Sequence, residues 1–112
     1  MSKILTDVKL VIGSIPDEDT SFDGEILLHI NSKLKTVNQL GAGKPGFSAD
    51  ADSTWEEFLG DNETDLDNVK TFVGLSVKLL FDPPQNSFLV NAIQDELKEA
   101  EFRINSTAEY GL

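Results

Sequence analysis

The sequence predicts an all-α fold: a small bundle of four main helices plus one short helix, with a flexible interhelical loop and a C-terminal tail. Three observations predict it. Apolar residues recur at spacings of three and four in each long block, the mark of one buried helix face. Glycine or proline punctuates the blocks, glycine because it enters the left-handed conformation without penalty, proline because it cannot continue a helix. Nothing in the pattern demands a sheet. The 112 residues fit a single domain spanning 1–112, with no room for a second. A chain of this size buries roughly 65% of the surface it exposes when unfolded, so a modest core forms without staples.

The first block runs from about Ser2 to Ile12. Ile4, Leu5, Val8, Val11 and Ile12 share a helical face, and Gly13 supplies the stop. Ser14 to Asp19 is a polar loop holding Pro16. The second block starts at Thr20 or Ser21, whose hydroxyls suit an unpaired first-turn N–H, with Asp23 and Glu25 at the positive end of the dipole. Phe22, Ile26, Leu27, Ile30, Leu34, Val37 and Leu40 form its stripe, which fits a 3.6 period and fails a period of two. At ~1.5 Å per residue it is a rod of roughly 29 Å, the central scaffold, ended by Gly41.

Residues 41–53 read as the flexible loop, because glycine and proline crowd Gly41 to Gly46. Ser53 and Glu56 match a capping box for a short helix over Thr54 to Leu59, stopped by Gly60. The fourth block is capped near Thr64 or Asp65 and runs to Phe81, with Leu66, Val69, Phe72, Val73, Val77 and Leu80 on one face. Leu75 and Leu79 lie off that face, which predicts burial between neighbours or a second face meeting another subunit. The rival reading is a strand over Val73 to Phe81, since the run is short and partly β-branched. Asp82-Pro83-Pro84 stops the block. The last block, from Asn86 or Ser87 to Asn105, carries Leu89, Ala92, Ile93, Leu97, Ala100 and Ile104, flanked by Phe88 and Phe102. Residues 106–112 read as a polar tail.

Composition excludes several function classes. Acids outnumber bases 20 to 9, a formal charge of −11. A domain that grips phosphates is normally basic, and an anionic membrane surface repels this one. No apolar run is long enough to span a bilayer, and the early Asp7 does not fit a secretory signal. The expectation is a soluble protein made in cytoplasm. With no cysteine there is no thiol catalysis, disulfide framework or cysteine-based zinc site. His29 is the sole histidine, so the usual nucleophile–base pairings cannot be assembled and the chain is not expected to be an enzyme.

The weaker motifs resolve to structure. Asp61, Glu63, Asp65 and Asp67 alternate like a calcium loop, but Leu66 and Phe72 stand where an EF-hand needs glycine and a bidentate glutamate. Acids that start a helix explain the run better. Gly41-x-Gly43-Lys44-x-Gly46 lacks the spacing and the hydroxyl of a phosphate loop. The sequons at Asn62 and Asn105 are chance matches without a secretory signal. Asp50 to Asp67 holds eight acids and no base, either a solvated edge or an acidic contact surface. Trp55 and Phe58 read as anchors of the short helix more than as a binding hot spot. No catalytic, cofactor-binding or metal-binding residue is expected.

The stretch Val69-Lys70-Thr71-Phe72-Val73-Gly74-Leu75-Ser76-Val77-Lys78-Leu79-Leu80-Phe81-Asp82-Pro83-Pro84, followed by a helix closing on Glu101-Phe102-Arg103-Ile104-Asn105, resembles the head–tail connector proteins of long-tailed bacteriophages, also called head-completion or adaptor proteins. The likeness is to versions from phages of Gram-positive bacteria, and the order of helices extends it over nearly the whole chain. The resemblance implies an all-helical, non-enzymatic protein of the virion neck, assembled in host cytoplasm without a cofactor. It implies a ring, typically of twelve subunits, between the portal and the next neck or tail-completion protein.

By topology, the resemblance implies portal docking by the C-terminal segment, with Arg103, Ile104, Tyr110 and Leu112, and a distal contact by the loop, with Lys44, Pro45 and Phe47. Leu75, Leu79, Phe88 and Phe102 are the residues expected between subunits, because a closed ring presses one patch against a different patch on the neighbour. DNA is expected to pass through without specific binding. Acidic walls repel phosphates over roughly a Debye length, about 8 Å at physiological salt, whereas basic walls would hold them. The alternative is an acidic interaction module of the DNA-mimic or antitoxin-like kind. A mimic should space its acids along one face, whereas these cluster at loops and helix starts.

Overall fold

A computed structural model of the chain describes residues 2–61 and 65–110. The described residues form α1 (Ile4–Ile12), α2 (Asp23–Leu40), α3 (Trp55–Leu59), α4 (Leu66–Phe81) and α5 (Ser87–Tyr110), with no strand among them. An isolated antiparallel bridge joins Lys3 to Thr54, and the Ile4 N–H donates to the Ser53 carbonyl at 2.9 Å. Residues 73–81 are helical throughout, which settles the strand alternative.

Cross-links between helix ends fix the directions. Lys70 at the start of α4 reaches Ser2 at the start of α1 (3.2 Å). Lys78 near the end of α4 donates to the Ile12 carbonyl at the end of α1 (2.8 Å). These two helices therefore run the same way. Phe22, just before α2, meets Phe81 at the end of α4 edge to face, with centroids 5.5 Å apart. Asn105 of α5 donates to the Leu40 carbonyl at the end of α2. So α2 and α5 run together, opposite to α1 and α4. The result is a slab of 38 × 33 × 20 Å.

The core forms where the stripes converge. Ile4, Val8 and Ile12, Ile26, Ile30, Leu34 and Val37, and Val69, Phe72, Val73 and Val77 are all buried. Burying each such side chain is worth about 1.5–3 kcal/mol. α4 touches α1, α2 and α5. Gly74 lets α1 come close: a Cβ there would lie 2.9 Å from Val11 Cγ2.

Several local expectations are corrected. No side chain caps α2 at Thr20 or Ser21; its flanking residue is Phe22. The Asp19 carboxylate accepts the Ser21 N–H instead, a turn that competes with the cap. The capping box of α3 is one residue later than expected, Thr54 with Glu57. Ser53 is buried and engaged with Asp50, so its hydroxyl is not free for the helix. Asp65, not Thr64, stands at the start of α4, without a side-chain cap bond; Thr64 lies outside the described residues. The expected tail at 106–112 is helical through Tyr110. Ala108 packs in this last turn against Gly41, where a Cβ would come within 2.4 Å of its own.

The loop expected to be flexible is tethered along its length. Ala42 and Ala49 are buried, the Lys44 N–H donates to the Phe58 carbonyl (2.8 Å), and Asn31 holds both the N–H and the carbonyl of Ala49. Gly43 and Gly46 have nearly the same left-handed φ, +79 and +77. At Gly43 a Cβ would lie 2.2 Å from the buried ring of Phe58, whereas Gly46 faces open space. Gly46→Ala should lose about 1–2 kcal/mol for the backbone alone. Gly43→Ala should lose about 2–5 kcal/mol, because overpacking is added. Urea unfolding of the two variants checks the difference.

Candidate functional site

Lys9 is buried on the apolar face of α1, 2% exposed. Its ammonium donates to the carbonyls of Asp17 (3.1 Å) and Asp19 (2.9 Å) and pairs with Asp23 Oδ1 at 2.6 Å. Two hydrogen bonds to carbonyls and one close carboxylate thus surround the charge, the kind of compensation a desolvated lysine requires. The network fastens the 13–22 loop and the start of α2 to α1. Sequence reasoning missed it, although Lys9 sits four residues after Leu5 and three before Ile12, on the buried side.

The acids are put to local use. The Asp50 carboxyl is held below the ordinary carboxylate value by the Asp52 N–H and then by the Ser53 hydroxyl, at 2.9 and 3.2 Å. The Asp19 carboxyl is lowered by the Ser21 N–H first, then the Ser21 hydroxyl, with a smaller pull from Lys9. Asp65 occupies the helix-start position, its carbonyl accepting the Val69 N–H at 2.8 Å. Trp55 and Phe58 are core anchors, at 3% and 1% exposed, with the Trp55 indole N–H on Asp7 (2.8 Å). His29 is half-buried on α2. Among the described residues no cluster of three or more His, Cys, Asp or Glu is arranged to hold a metal ion, and no helix is long and apolar enough to cross a membrane.

What the fold leaves outside is apolar. Phe88 is 83% exposed, Phe102 71%, Leu10 79% and Leu28 70%. Phe88 and Phe102 were among the residues expected between subunits, and both stand on the outer side of α5. Leu75 and Leu79, expected with them, are half-buried on α4. Leu10 and Leu28 were missed, though each is the apolar residue that its own helix's stripe leaves out. Leu10 rises between two shallow grooves, one lined by Thr6, Ser14, Ile15 and Pro16, the other by Trp55, Lys70 and Thr71.

The expected portal-facing residues separate. Arg103 is exposed and pairs with Glu99 one turn back. Ile104 is fully buried, so it belongs to the core and offers no surface to a partner, a correction that follows from its place on the inner stripe of α5. Leu112 and the side chain of Tyr110 lie outside the described residues. In the loop, Lys44 and Pro45 are exposed. Phe47 turns inward, its ring 5.4 Å from that of Phe58, so it acts as a tether rather than a contact tip.

A family model described as phage connector protein matches residues 4–111. No curated protein and no solved structure matches the chain.

Lys9→Met should cost about 3 kcal/mol, since it leaves Asp23 facing a desolvated site. In a double-mutant cycle with Asp23→Asn the combined loss should be clearly less than the sum. The lowered carboxyls at Asp50 and Asp19 make the folded chain bind fewer protons than the unfolded one. Stability is therefore fully present above the ordinary carboxylate value of about 4 and is lost as pH falls through the lowered values. Urea midpoints taken between pH 6 and pH 2 should fall, and Asp50→Asn should flatten that fall.

Proposed function

The chain belongs to the phage connector protein family, and we propose that it forms an oligomeric ring at the virion neck. The ring joins the portal to the neck or tail protein that follows and extends the DNA channel between them. The family match across residues 4–111 carries this reading. Its physical support is the exposed aromatic pair on α5. Phe88 and Phe102 stand in solvent, where an interface core would bury them.

Subunit contacts fall to Phe88 and Phe102, together with the half-buried Leu75 and Leu79. Portal docking falls to Arg103 and to the chain end with Tyr110 and Leu112. The distal contact falls to Lys44 and Pro45. The net charge of −11 suits a conduit, because it gives passing phosphates nothing to hold. The acids at Asp19, Asp50 and Glu57 each accept a backbone N–H. Local use of this kind favours the conduit over a mimic of DNA.

The test is sedimentation velocity and negative-stain microscopy of the purified chain, alone and mixed with the portal ring of its own particle. A ring-shaped complex on the portal is expected. No binding to the portal at any salt concentration, with the chain a monomer throughout, would contradict the reading.

A further inference from the structure

Two exposed helix faces carry the same pattern in opposite charge. On α5, Phe88 and Asp95 are seven residues apart; on α2, Leu28 and Lys35 are seven residues apart. Seven residues make two turns less about 20°, so each pair stands on one outward face with its members about 10.5 Å apart along the axis. All four side chains are exposed. Neither Lys35 nor Asp95 makes an ion pair or side-chain hydrogen bond among the described residues, whereas Glu99, one turn further along α5, is taken by Arg103. Between the two members stand small exposed residues, Ser32 on α2 and Ala92 on α5. Small side chains there let two helix axes approach to the usual packing distance of about 8–10 Å.

We propose that α5 of one copy lies along α2 of a second copy in parallel register, Phe88 against Leu28 and Asp95 against Lys35. Charge and apolarity match together in this pairing. Two α2 faces laid parallel put Lys35 on Lys35, and two α5 faces put Asp95 on Asp95. Turning α2 against α5 the other way keeps the match only if Phe102, seven residues after Asp95, replaces Phe88 against Leu28. The two patches differ, so the contact is heterologous: each copy offers α5 to one neighbour and α2 to the other, and the series continues until it closes. Within one copy α2 and α5 already run together. Rotation about an axis along these helices preserves that direction, as a parallel contact between neighbours requires. The proposal rests on the self-assembling reading above and names the two surfaces that meet.

The chain has no cysteine, so introduced pairs report cleanly. Leu28→Cys with Phe88→Cys in one chain, oxidised at high concentration alone and on its portal ring, should give a ladder of covalent multimers. Leu10→Cys with Phe88→Cys should give none. Lys35→Glu and Asp95→Lys should each raise the concentration for half-assembly by about 3- to 10-fold. Both in one chain should return it to within about twofold of the original. All these positions are exposed, and circular dichroism checks that each variant folds. Assembly without the 28–88 ladder and without charge-swap rescue overturns this pairing and leaves the ring standing. Failure of the unaltered chain to assemble under either condition overturns the ring as well.

Discussion

Burial of α4 against α1, α2 and α5 is the constraint from which the remaining features follow. Val69, Phe72, Val73 and Val77 vanish from solvent only because three helices turn their stripes inward onto one rod. Gly74 brings α1 close, and the Phe22–Phe81 contact aligns α2. In a chain of 112 residues that arrangement uses the inner face of every long helix and leaves no second layer. Whatever apolar surface the outer faces carry must then stay wet or be covered by another molecule. Leu28 and Phe88 are the cost of that geometry in the lone chain and, in the proposed assembly, its use.

Electrostatics works at two scales. Within the fold several bases are spent at joints: Lys9 of α1 against the loop between α1 and α2, Lys70 and Lys78 along the seam between α1 and α4. Between copies, a charge of −11 on each opposes association at long range. Salt screens this beyond about 8 Å, so short-range apolar contacts and a well-placed ion pair decide the outcome. Such a balance favours closing a ring on a template that already holds the copies close. In the proposed ring the same negative charge would give a passing polyanion nothing to hold.

The helices were legible in the sequence because stripes and breakers agreed: Gly13, Gly41, Gly60 and Pro83 end or follow the elements they were expected to end. Boundaries set by competing side chains were not. Ser53 and Thr54 both begin a capping-box pattern, and the choice falls to Thr54 because Asp50 holds Ser53 in a turn. The polar composition of residues 106–110 suggested a tail, yet no breaker interrupts them, and Ala108 against Gly41 extends α5. Lys9 was illegible because a hydropathy pattern scores lysine as solvent-facing, and only the folded loop shows two carbonyls and a carboxylate around it. Of the exposed apolar residues, the aromatics flanking the stripe of α5 stood out in the sequence, while Leu28 needed its exposure to be seen.

A cryo-EM reconstruction of the neck of the parent particle measures the central claim most directly. The account predicts ring density into which the four long helices fit, with α5 of each copy covered by α2 of the next and Phe88 out of solvent. A neck without this chain, or a ring in which the outer faces of α2 and α5 both remain open to water, would contradict it.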